Sequence, residues 1–114
     1  MPFQRGEVVT LLFPLVETVM PRHTPHPHPA AVISTPDYEA TTGNVIVTMI
    51  TSQPHTAPSD YRLQDWEAAG LRRPSTVRAK PSTVAPHRIL RRAGRLSNRD
   101  LAELDARLRL AMGL

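Results

Sequence analysis

The stretch Gly43-Asn44-Val45-Ile46-Val47-Thr48-Met49-Ile50-Thr51-Ser52 leaves the chain few ways to fold. It opens on a Gly-Asn turn signal, runs through Val, Ile, Val, Thr, Met and Ile, and stops at a hydroxyl pair before Gln53-Pro54. A short β-branched run bounded by turn residues is a strand buried on both faces. The end of such a strand is a fixed place from which to hold side chains. Thr51 and Ser52 are therefore the first candidates for a site.

The rest of the chain reads as short strands with one helix at the end. Arg5-Gly6-Glu7 leads into Val8–Phe13, a first strand closed by Pro14. The segment from Leu15 to Pro29 holds Pro21, Pro25, Pro27 and Pro29, which forbid helix and favour extended backbone. It is expected to be a loop, and it carries Arg22, His23, His26 and His28. Ala30–Ser34 is a second strand, and Pro36–Thr42 a connection. Gln53–Asp60 is a loop, and Tyr61–Leu63 a short strand. Asp65–Gly70 reads as one helical turn, with Asp65 as N-cap and Gly70 as a left-handed stop. Ser75–Arg78 is a strand. Ser82–Leu90 is a further strand piece with a tight turn around Pro86. Arg91–Leu96 is a last strand, with Gly94 marking a kink or bulge. Ser97 and Asp100 form a capping-box pattern. Leu101, Leu104, Leu108 and Ala111/Met112 recur at helical spacing as a core stripe. Glu103–Arg107 and Asp105–Arg109 are i,i+4 pairs in the favoured order, and Gly113 ends the helix. The pattern argues a small β-barrel with a packed terminal helix.

Composition narrows the function. At 114 residues, one domain is the default. Aromatics are only 4% of the chain, which makes self-association plausible. There is no cysteine, hence no disulfide framework and no thiolate metal site. Val8–Val16 is interrupted by Thr10 and Pro14 and lacks a cleavage site, so it is not read as a secretory signal. No apolar run approaches the roughly 20 residues of a membrane span. Lys+Arg number 14 against 10 Asp+Glu, and Lys80 is the one lysine. Arginine suits planar, bidentate phosphate contact. A polyanion partner, nucleic acid first, is expected, with a solvated basic surface as the bland alternative.

The ordered series Arg5-Gly6-Glu7-Val8-Val9, Pro29-Ala30-Ala31-Val32-Ile33-Ser34, Val45 through Thr51-Ser52, and Arg95-Leu96-Ser97 resembles the MazF/PemK toxins over nearly the whole chain. The terminal helix closing on Met112-Gly113-Leu114 completes it. Asp65-Trp66-Glu67-Ala68-Ala69-Gly70-Leu71, with Pro74-Ser75-Thr76-Val77-Arg78, resembles one PemK-like subgroup. The resemblance implies a mainly β chain with a C-terminal helix, an SH3-like barrel over residues 1–114, working as a cytoplasmic homodimer. It implies the toxin of a type II toxin–antitoxin system, an endoribonuclease that cuts single-stranded RNA with no metal or other cofactor. The 2′-hydroxyl attacks the adjacent phosphate and the 5′-oxygen leaves, giving a 2′,3′-cyclic phosphate. The implied partners are RNA, a second copy and an acidic antitoxin lying over the RNA groove, with operator DNA reached only through the antitoxin complex.

The resemblance also implies roles. The family's functional Thr, at the end of the third strand, falls on Thr51, and Ser52 matches the Ser that often follows. The Arg of the Val-Val-Arg pattern falls on Arg78. Where many members carry Arg before the second-strand Pro, this chain has His28. Where one branch carries a proton-transferring Asp two residues past the Arg, it has Lys80. Cleavage needs a group for the 2′-proton, a group for the leaving oxygen and positive charge on the phosphorane. Arg78 is expected to supply the charge, Thr51 and Ser52 to hold oxygens, and His28 to act as acid or base. Arg22 could swing in for the missing Arg. His26, Gln53 and Lys80 are expected RNA contacts beside Ser52 and Arg22. The alternative is a member with catalysis lost that binds nucleic acid or a protein target, which the His28 and Lys80 departures motivate.

Each assignment has a structural counterpart: Thr51-Ser52 as a polar strand end, Arg78 as a surface ion pair, His28 as a loop bystander. His23, His26 and His28 have a spacing zinc could use, but only Glu17 stands near to complete a set, and no metal is expected. Arg88, Arg91, Arg92 and Arg95 read as one basic strand face, toward RNA backbone or a dimer edge. Trp66 is expected to pack rather than to stack on a base.

Overall fold

The computed structural model describes residues 1–13 and 26–114. Six strands form one antiparallel sheet: β1 (Glu7–Phe13), β2 (His26–Val32), β3 (Val45–Thr51), β4 (Asp60–Arg62), β5 (Thr76–Val84) and β6 (Ile89–Arg95). Their order is β4-β5-β3-β2-β1-β6. Helix α1 (Pro36–Thr42) joins β2 to β3, a 3-10 turn (Pro86–Arg88) joins β5 to β6, and helix α2 (Asn98–Met112) follows β6.

The central run is the strand its sequence calls for. β3 has β2 on one edge and β5 on the other. Neighbouring side chains of the strands part to opposite faces. Val8, Ala31 and Ile50 join one apolar cluster with Leu104 and Leu108 of α2, while Val9, Ala30 and Val47 join a second with Leu11 and Val84. This is the two-residue period of a pleated sheet covered on both sides. Each fully buried aliphatic side chain contributes about 1.5–3 kcal/mol.

The ends of the sheet are brought together by two glycines. β4 and β6 are the outer strands, yet the segment after β4 returns to lie on β6. A Cβ on Gly70 would stand 2.1 Å from the Ala93 carbonyl oxygen, and one on Gly94 would stand 2.3 Å from that of Ala69. Backbone meets backbone with no room for a side chain. Gly70 also has φ +83°, the left-handed region open to glycine. This contact curls the sheet into a small barrel.

α2 is fastened by a buried carboxylate. Asp100 is fully buried. It accepts from the Tyr61 hydroxyl at 2.7 Å, the Gln64 N–H at 3.1 Å and the Asp65 N–H at 2.8 Å. Burial and the Asp100 bond push the Tyr61 phenol up to about 12. Ser97 caps the helix by accepting from the Asp100 N–H, and Gly113 ends it with φ +73°.

Several local expectations are corrected. Pro36–Thr42 is a helix: Thr35 caps it and Pro36 occupies a first-turn position, where a missing N–H costs nothing. His26 and His28 stand on β2, opposite Phe13 and Leu11, rather than in a loop. Extended proline backbone is compatible with a strand, and this is where it continues into one. β5 is one strand from Thr76 through Pro81 to Val84; its register shifts opposite Met49, and a bulge is where a sheet tolerates proline. Asp65 does not cap its own turn but accepts from Arg99 and, less strongly, Ser97, which hold its carboxyl down at about 2. Asp100 does not reach back to Ser97 as a capping box would. Asp105 pairs with Arg5 instead of Arg109, while Glu103–Arg107 forms at 2.9 Å. The apolar stripe of α2 ends at Leu108; Met112 is exposed. Trp66 packs against the first cluster. The proline-rich segment 14–25, with Arg22 and His23, lies outside the described residues.

Candidate active site

A cleft of about 580 Å³ opens at the C-terminal end of β3. Thr51, Ser52 and Gln53 enter it from that strand end, and Pro27, His28 and Pro29 from β2. Thr10 of β1 and Arg91 and Ala93 of β6 continue the floor. Gly70, Leu71, Arg72, Arg73 and Ser75, between β4 and β5, form the facing wall. The Gly70–Ala93 contact sets that wall against the floor.

The sheet register explains the floor. Thr10 stands opposite Pro29 on one side and opposite Arg91 on the other. Cross-strand partners share a face of the sheet. Arg91, Thr10 and Pro29 are thus one row on one face, while His28, opposite Leu11, belongs to the other.

The chemical content is uniform. The lining residues include four that bear hydroxyls (Thr10, Thr51, Ser52, Ser75), one histidine and three arginines, and no Asp or Glu among the described residues. Thr51 Oγ1 accepts from the Gln53 N–H at 3.1 Å, so its own proton points elsewhere. His28 is half-buried, with the His26 ring centroid 4.5 Å away. Burial, then the charge of His26, lowers the His28 pKa below 6.5. Near neutrality His28 is therefore a neutral base. Such a set can hold an anion and take a proton.

The expected residues divide. Thr51, Ser52, Gln53 and His28 share the cleft. His26 is outside its lining but against His28. Arg78 does not line it: its Nε donates to Asp60 Oδ1 at 3.1 Å, and Asp60 is 3% exposed at its side chain and accepts from the Ala57 N–H as well. Arg78 nevertheless stays near Thr51, whose cross-strand partner Thr76 lies two residues before it on β5, while its guanidinium donates to the buried Asp60 carboxylate. Asp60 is the cross-strand partner of Arg78 on β4, and at the β5 bulge the Thr48 hydroxyl donates to the Arg78 carbonyl and accepts from the Lys80 N–H at 3.0 Å. Lys80 is exposed and away from the cleft lining. No group of three or more metal-binding side chains forms among the described residues.

Arg72, Arg73 and Thr10 were not singled out by the sequence, and Arg91 was read only as part of one basic strand face with Arg88, Arg92 and Arg95, which the structure divides. Strand alternation held a signal for one of them. Arg91 and Arg92 are adjacent, so a strand must send them to opposite faces. Arg92 goes to Glu7 at 2.9 Å and over the Phe3 ring. Arg91 goes to the cleft.

Fold and cleft together define a small β-barrel closed by a C-terminal helix, with a carboxylate-free basic cleft across its strand ends. Residues 4–112 match the PemK-like, MazF-like toxin of type II toxin–antitoxin systems, and the chain belongs to that family. No curated protein matches it in sequence. Solved structures share the fold. An endoribonuclease in complex with its cognate antitoxin from a mycobacterial species superposes with TM-score 0.78 at 16% identity, over 98% of this chain and 96% of that one. MazF from Deinococcus radiodurans gives 0.77 at 22% identity, over 100% and 99%. The Mycobacterium tuberculosis toxin MazF-mt6 gives 0.74 at 18% identity, over 96% and 98%. Among the described residues, no helix is long and apolar enough to cross a membrane.

Proposed function

We propose that this toxin is an endoribonuclease that cleaves single-stranded RNA in the β3-end cleft without a metal. The observation that carries the reading is the lining itself: four hydroxyl-bearing residues, a neutral histidine and three arginines, with no Asp or Glu among the described residues to repel a phosphodiester. The family and the name of its mycobacterial structural relative, an endoribonuclease, support it. The 2′-oxygen attacks the adjacent phosphorus as His28 takes the 2′-proton. The bond from phosphorus to the 5′-oxygen breaks, and a 2′,3′-cyclic phosphate remains. Thr51 and Ser52 donate to non-bridging oxygens. No second group titrating near neutrality lines the cleft among the described residues, so water protonates the leaving oxygen. The protein acts as a homodimer restrained by an acidic antitoxin, as the MazE-MazF complexes of the Deinococcus radiodurans relative suggest by analogy.

The test is incubation of mixed-sequence RNA with protein and chelator, followed by mapping of ends. Cleavage at a short sequence with cyclic-phosphate ends is expected. Thr51→Ala and His28→Ala should each lower the rate about 100-fold or more, the scale of losing one oxyanion donor or a general base. Absence of cleavage at every sequence ends the reading. The Arg78–Asp60 pair favours a second one: a binding member in which catalysis is lost, which growth arrest with intact RNA would establish.

A further inference from the structure

The family pattern puts the phosphate-binding charge on Arg78, and the cleft takes its charge from elsewhere. We propose that Arg91, together with Arg72 and Arg73, makes the phosphate contacts of this site in place of Arg78. The inference rests on the RNA reading above.

Three observations carry it. Arg78 is already paired with Asp60, so its attraction for a second anion is largely spent within the protein. Arg72, Arg73 and Arg91 are exposed and make no ion pair among the described residues. They also come from two walls: Arg91 rises from the floor row beside Thr10, and Arg72 and Arg73 from the facing loop. A strand laid between Thr51 and His28 has cations on both sides. Among the described residues the lining contains no Phe, Tyr or Trp, and His28 is its one aromatic residue. Base stacking, the usual second source of single-strand affinity, therefore has little to rest on there. Binding must then lean on phosphate charge, and such binding is read directly by its dependence on salt.

The magnitude follows. Each phosphate contact to a single strand adds about −0.7 to the slope of log K against log salt. Three contacts give a slope of about −2 or steeper, which is a loss of about 18-fold between 50 and 200 mM salt. Removing one leaves a loss of about 7-fold over the same range.

The probe is a mixed-sequence 2′-O-methyl RNA strand, which lacks the attacking hydroxyl, titrated by fluorescence anisotropy at several salt concentrations. Arg91→Gln, Arg72→Gln and Arg73→Gln are each expected to flatten the slope by about 0.7. Arg109→Gln, an exposed position on α2, should leave it unchanged. Wild-type slope and affinity in Arg91→Gln would overturn the assignment while leaving RNA binding intact. A wild-type protein that binds no strand at low salt would instead remove the RNA reading on which the assignment stands.

Discussion

Replacing Asp100 by alanine tests what joins the helix to the site. The carboxylate is fully buried and accepts three hydrogen bonds, from Tyr61, Gln64 and Asp65. Alanine leaves the buried Tyr61 hydroxyl and two partly buried N–H groups without a partner. A stranded donor costs about 1–3 kcal/mol, and such costs are not additive. We expect a total loss of about 3–5 kcal/mol, the scale for breaking a buried polar network. Against a total stability of about 5–15 kcal/mol this is a large share. At about 4 °C per kcal/mol it lowers Tm by about 12–20 °C. Asp100→Asn separates the contributions. Its oxygen can replace the one that serves Tyr61 and Gln64, but its amide then faces the Asp65 N–H, donor against donor, for a loss of about 1–3 kcal/mol. Tyr61→Phe removes one donor without stranding any and should cost about 1–2 kcal/mol. Urea unfolding followed by circular dichroism gives all three values if the slope with denaturant stays constant. The site should feel the loss too, because Gln64 and Asp65 begin the segment that ends at Arg72 and Arg73. A cost under about 1 kcal/mol for Asp100→Ala, or an order in which Asn is worse than Ala, would refute the account.

Two further outcomes follow from the cleft. Gly70→Ala puts a Cβ 2.1 Å from the Ala93 carbonyl oxygen at φ +83°, so the wall must move off β6; melting should fall by several degrees, and RNA cleavage should fall further than in a surface variant of matched stability. The pH profile of kcat/KM should keep its acid limb below pH 6.5. Burial and His26 lower the His28 pKa, so the neutral base persists as pH falls past the ordinary histidine value and is lost only through the lowered one. His26→Ala should move the limb partway up toward 6.5, since burial, the larger cause, remains. A limb at or above 6.5 in the wild type would remove His28 from the base role.

What the sequence made legible was whatever depends on neighbours in the chain. The buried run Val45–Ile50, the terminal helix with its Ser97 cap and Gly113 stop, and the resemblance across four strand motifs all rest on local spacing, and residues 98–112 form the helix as read. Two elements escaped because opposite habits of proline coexist in one chain. At Pro36 proline begins a helix, and at Pro81 it rides inside a strand at a bulge. Only the cap at Thr35 and the register opposite Met49 decide between them, and neither is a property of proline. The site was legible where one strand end supplies it, as for Thr51, Ser52 and Gln53. It was not legible where charge depends on pairing. Arg78 and Arg91 are the same residue type on strands consecutive in the chain but not paired in the sheet, and motif position favoured the first. What separates them is Asp60, 18 residues before Arg78 and brought beside it by the β4–β5 ladder. A guanidinium beside a buried carboxylate serves the fold, whereas one with no acid in reach is left to serve a ligand. Which arginine binds phosphate was therefore decided by where the acids went.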